Sequence, residues 1–88
     1  MARYIRINKV IEKKENVLAV EPDNILLEDI KSFRKWHKTP SEEAQIKGEM
    51  CQITIFSATG KDGFYTVRIN ESEEMFAERL GQGTVIKL

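Results

Sequence analysis

The sequence predicts an α+β fold: a small, twisted antiparallel sheet of about four to six strands, or a partly open barrel, with one C-terminal helix over a face or an end. Three observations carry this. Cys51, Ile53 and Ile55 alternate with Gln52, Thr54 and Phe56, and Tyr65, Val67 and Ile69 alternate with Thr66, Arg68 and Asn70. Ser72–Glu73–Glu74 followed by Met75, Phe76, Arg79 and Leu80 reads as a capped helix with an apolar stripe. Tyr4, Ile5 and Ile7, interleaved with Arg6, open the chain as a third period-two segment.

Taken in order, residues 3–8 form a strand with Ile5 and Ile7 on one face and Arg6 on the other. The polar group Glu12–Asn16 reads as a loop, and Val17–Val20 as a second apolar segment. Pro22–Asp23–Asn24 is expected to stop that segment, because proline fixes φ while Asp and Asn bond back to their own backbone. Residues 25–37 fit two periods. Leu26, Ile30, Phe33 and His37 suit a helix, whereas Ile30, Ser32, Arg34 and Trp36 alternate as in a strand. The favoured reading is a short strand at 25–27, a turn at Glu28–Asp29 and a strand from Ile30 to about His37.

Residues 38–48 read as a loop or a single helical turn. Thr39–Pro40–Ser41–Glu42–Glu43 has the residues of a helix start, but Ala44 and Ile46 offer little apolar surface to hold one. Met50–Ser57 and Tyr65–Asn70, joined through Gly60–Lys61–Asp62–Gly63, form a β-hairpin whose apolar sets Cys51/Ile53/Ile55 and Tyr65/Val67/Ile69 line one face. Ser72 caps the helix start and Gly81 supplies a left-handed stop. Thr84–Leu88 adds a short terminal strand.

Eighty-eight residues make one domain. No apolar run approaches the roughly 20 residues that cross a bilayer, and no basic-then-apolar leader opens the chain, so the expectation is a cytoplasmic protein without a membrane partner. A single cysteine excludes an intrachain disulfide, and one His with one Cys leaves the usual tetrahedral zinc ligands short. Fourteen bases balance fourteen acids, which lowers the expectation of nucleic-acid binding. The distribution is uneven: Lys31, Arg34, Lys35 and Lys38 fall in 30–38 without an acid, and Glu71, Glu73, Glu74 and Glu78 fall in 71–78 without a base. A neutral molecule with opposed patches attracts its own copies.

No reactive constellation emerges. Cys51 sits mid-strand among isoleucines, where a thiol is structural, and His37 lies between lysines with no acid to orient it. Gly60–Lys61–Asp62–Gly63 lacks the spacing and the following helix of a phosphate loop. The glutamates at 71–78 read as a solvated helix face. No catalytic, cofactor or metal residue is therefore assigned. The candidate binding patch is Lys31, Phe33, Arg34, Lys35, Trp36, His37 and Lys38, where aromatic rings suited to stacking on bases alternate with cations suited to phosphate. The bland alternative makes the same residues a charged guard on an edge strand.

Asp29–Ile30–Lys31–Ser32–Phe33, Ile53–Thr54–Ile55 and Val67–Arg68–Ile69–Asn70–Glu71–Ser72–Glu73–Glu74 occur in the order of a pattern found in short bacterial domains. In these motifs the chain resembles the flagellar swarming-motility family over residues 3–10 and 24–80, with an extra segment at 34–50 that the pattern lacks. The resemblance implies a small antiparallel sheet with a C-terminal helix, and an interaction role without enzymology. It carries no functional residue over. The expected function is a non-enzymatic interaction or accessory module that needs no cofactor and self-associates through sheet edges. The alternative is single-stranded nucleic-acid binding through residues 31–38.

Overall fold

The computed structural model describes residues 3–58 and 63–81 and the backbone of 86–87. The chain runs β1 (Arg3–Lys14), β2 (Val17–Leu26), a 3-10 turn (Leu27–Asp29), β3 (Ile30–Trp36), α1 (Pro40–Gln45), β4 (Met50–Phe56), β5 (Phe64–Ile69), α2 (Glu73–Gly81) and β6 (Ile86–Lys87). Five strands lie in the order β2-β1-β5-β4-β3, all antiparallel, and β6 adds to β1 at Arg3 and Tyr4. The sheet does not close: β2 and β3 are its edges. The α+β expectation holds at this level, and the barrel alternative does not.

Burial follows the alternation. Ile5 and Ile7 from β1, Ile25 from β2, and Cys51, Ile53, Ile55 and Ile69 from β4 and β5 point to one side, where Phe76 of α2 seals them. Phe33 joins from β3, its ring edge-on to Phe76 with centroids 5.1 Å apart. Ser72 caps α2 as expected, its hydroxyl accepting from the Met75 N–H at 3.1 Å. Leu80 packs against the core, but Met75 is exposed, so the apolar stripe of α2 is narrower than its composition suggests. Gly81 is the last helical residue and has no positive φ, so it is not the left-handed stop expected of it.

Several boundaries differ for identifiable reasons. Glu12–Lys14 belongs to β1 rather than to a loop, because the hairpin turns at Glu15–Asn16, with Asn16 at φ 60°. Asparagine tolerates that left-handed conformation better than most residues. Pro22 does not stop β2, which continues to Leu26; as an outer-edge strand, β2 can lose an N–H without losing a neighbour. Residues 25–37 are extended apart from the 3-10 turn, which settles the choice of period in favour of a strand. Tyr65 lies on the same face as Val67 and Ile69, opposite Ile55, but it is 49% exposed, because the paired part of β1 ends before reaching it. The expected turn at Gly60–Lys61–Asp62 lies outside the described residues, as do Thr84, Val85 and Leu88 of the terminal segment.

The segment 38–48 is the largest departure. It holds a six-residue helix, α1, on the side of the sheet opposite α2. Thr39 and Glu42 form a reciprocal capping box, the Thr39 hydroxyl accepting from the Glu42 N–H and the Glu42 carboxylate accepting from the Thr39 N–H. Ile46 and Met50 are buried beside it. No helix among the described residues is long and apolar enough to cross a membrane.

Candidate functional site

Glu42 is the most buried charged side chain described, at 4% exposure. Its Oε1 accepts from the Trp36 indole N–H and the Thr39 N–H, both at 2.9 Å, and its Oε2 meets the Arg68 guanidinium at 3.0 Å. Arg68 also lies over the Trp36 ring, 4.3 Å from its centroid. Burial alone would raise the Glu42 carboxyl, but the Thr39 N–H, the Trp36 N–H, the Arg68 charge and the Thr39 side chain outweigh it and hold the group below its ordinary value. Lys38 donates to the carbonyls of Ile46 and Gly48, closing the far end of α1. Gln45 ties α1 to the tip of the β1–β2 hairpin, donating to the Asn16 carbonyl and accepting from the Leu18 N–H.

Beside this cluster the sheet opens. Among the described residues β5 pairs with β4 at six register positions, from Cys51↔Ile69 to Phe56↔Phe64, but with β1 only at Lys9↔Ile69. The Asn70 N–H donates to the Asn8 carbonyl, so even-numbered residues of β5 turn their backbone groups toward β1. Thr66 therefore offers its N–H and C=O to the gap. The gap is a cleft of about 610 Å³, with Val10, Glu12 and Leu18 on one wall, Thr66 and Arg68 on the other, and Thr39 at the α1 end.

The outward face of β3, β4 and β5 is the second feature. Cross-strand pairs Phe56↔Phe64, Thr54↔Thr66 and Gln52↔Arg68 run along it, with Ser32↔Thr54 and Arg34↔Gln52 toward β3. Phe56 is 50% exposed and Phe64 37%. An irregularity between Ile30 and Ser32 swings Lys31 onto this face, with its ammonium 4.5 Å from the Phe64 centroid and 5.9 Å from that of Phe56.

The structure divides the seven residues of the candidate patch three ways. Lys31, Arg34 and Trp36 share the outward face. Phe33 turns to the core, and Lys35 follows its alternation, giving its N–H to Glu73 at 3.2 Å and pairing loosely with Glu49 at 3.8 Å. His37 is exposed beyond the end of β3, and Lys38 is occupied by carbonyls. Strand alternation alone makes one continuous patch impossible here. Glu42, Arg68, Phe56, Phe64 and Thr66 belong to the outward side and were missed. The Thr39-x-x-Glu42 spacing was the legible signal for Glu42, and the polar phase of the β4–β5 alternation was the signal for the others.

Cys51 is fully buried, and its thiol is pushed up to about 11 by burial and by the charges of Glu73 and Glu71, against a hydrogen bond from the Arg34 backbone. The acidic segment is not simply a solvated face. Glu71 holds Arg79 through two bonds of 2.8 Å, and Arg79 also donates to the Arg6 carbonyl. No group of three side chains suited to a metal occurs among the described residues. Comparison of the chain with protein-family models, with curated proteins and with solved structures finds no match.

Proposed function

We propose that this chain is a non-enzymatic docking module that accepts an extended polypeptide strand in the gap between β1 and β5, a second copy of the chain being the primary occupant. The observation that carries this is the early parting of the two strands. It leaves backbone donors and acceptors of β5 facing a cleft inside the sheet rather than at a guarded outer edge. The outer edges are less inviting: β2 carries Pro22 mid-strand, and the Lys35 N–H of β3 is occupied by Glu73.

Zero net charge removes long-range repulsion between copies. Burial of the Cys51 thiol argues in the same direction, since a reactive thiol needs access and a low pKa.

Sedimentation velocity across a wide concentration range tests the proposal. The expected result is a mass that rises with concentration and returns to monomer in Thr66→Pro, which removes an N–H from the gap while leaving the β4 ladder intact. A strict monomer at every concentration, or association unchanged by T66P, would refute it.

A further inference from the structure

The outward face of β3, β4 and β5 lies beside the gap and has a different chemistry. We propose that it is a platform for single-stranded nucleic acid, with Phe56 and Phe64 as the stacking surface and Lys31, Arg34 and Arg68 as the phosphate contacts. This goes beyond the docking reading and does not depend on it.

The argument begins with exposure. Phe56 and Phe64 face each other across β4 and β5 and remain half in water, although the same sheet buries every isoleucine of β4 and β5 on its other side. Two partly exposed rings on adjacent strands, with the Lys31 ammonium over them, offer aromatic surface on which a base can stack once that side chain moves aside. The charge is one-sided. The strand positions of this face carry Lys31, Arg34 and Arg68 and no acid, while Ser32, Gln52, Thr54 and Thr66 supply neutral hydrogen-bonding groups between them.

The nearby carboxylates do not cancel this. Glu42 is itself nearly buried and already bonded to Trp36, Thr39 and Arg68, and it fixes the guanidinium with one N–H while leaving Arg68 43% exposed. Asp29 stands at the rim near Phe56, and Glu12 stands across the cleft from Arg68 on β1, outside the β3–β5 positions that carry the cations. The row from the Phe56–Phe64 pair to the Gln52–Arg68 pair spans four residues of strand, roughly 13 Å, enough for a short run of nucleotides. Lys31 sits over the Phe64 ring, so a base that stacks there releases its ammonium to a neighbouring phosphate. Trp36, a member of the sequence-derived patch, is covered by Arg68 and serves as a support for it.

Fluorescence anisotropy of a labelled ten-nucleotide oligothymidine or oligouridine, titrated with the full chain at low salt, tests this. The expected result is saturable binding with a log–log salt slope of about −2, from three phosphate contacts at roughly 0.7 each. Phe64→Leu should weaken it by roughly tenfold while Phe64→Tyr retains it, since leucine keeps the apolar contact but cannot stack. Lys31→Glu with Arg34→Glu should abolish it, and Lys13→Glu with Lys14→Glu, a charge-matched change on the β1–β2 hairpin, should not. Absence of binding at low salt overturns the proposal. So does equal loss in the two charge-reversed variants, equal affinity for duplex, or burial of Phe64 by a second copy of the chain without any response to oligonucleotide.

Discussion

The two helices lie on opposite faces of one sheet and are held there by different forces. α2 is fixed by Phe76, fully buried among the isoleucines and edge-on to Phe33. α1 has only six residues and little apolar surface; it is fixed by Glu42, whose carboxylate collects Trp36, Thr39 and Arg68, and by Lys38 and Gln45 at its other contacts. Apolar burial is non-directional and tolerates displacement, whereas a buried carboxylate with three donors accepts one geometry. The two faces divide the labour: one supplies cohesion, and the other holds Arg68 and Trp36 in a set position beside the open surface.

Four measurements sharpen or break that contrast. Phe76→Ala should have the largest effect, lowering stability by about 3–5 kcal/mol in urea denaturation and destabilising the whole sheet. Glu42→Ala should cost about 2 kcal/mol, because it leaves the Trp36 N–H unsatisfied and breaks the capping box; Trp36 fluorescence should change in the folded state while the signature of the sheet persists. A global loss as large as that of F76A would show that the two faces are not separable.

The pH dependence comes next. The folded state holds Glu42 ionised more firmly than the unfolded chain does. Its contribution is therefore complete above the ordinary carboxylate range and lost as pH falls through the lower folded value. Thermal melts of E42Q should show a flatter acid limb than those of the unaltered chain. The smallest effect concerns Cys51. Its thiol should resist alkylation at neutral pH and react at the rate of local opening, so fast labelling in native buffer would contradict its burial. The sign here is opposite to that of Glu42: the raised thiol favours the folded state below the ordinary value of 9.0, and that advantage fades as pH climbs toward about 11.

The same division explains what could be read in advance. The β4–β5 hairpin, the opening strand, the burial of Cys51 and the Ser72 cap were all legible, because period-two burial and first-turn capping are local in sequence. α1 was half legible. Its start at Thr39–Pro40 could be read, but its anchor required knowing that Arg68, twenty-six residues after Glu42, would arrive beneath it. The binding patch was misdrawn for a related reason: reading 31–38 as one run ignored the alternation that sends Phe33 inward, and it left out Phe56, Phe64 and Arg68, which only strand pairing brings beside Lys31 and Arg34.

The single β1–β5 register pair among the described residues, Lys9↔Ile69, also bears on how the molecule assembles. The β1–β2 arm and the β3–β4–β5 meander each join strands that are neighbours in sequence, so each can form from nearby residues. Uniting them requires closing some sixty positions of chain, and the return is chiefly three isoleucines, Ile5, Ile7 and Ile25, entering the meander's core, with a few long-range hydrogen bonds such as Asn70 N–H to the Asn8 carbonyl and Arg79 to the Arg6 carbonyl. Folding should therefore end with this encounter. Trimming Ile5 or Ile7 to valine should hasten unfolding while leaving the refolding rate nearly untouched, a signature that stopped-flow mixing would display directly.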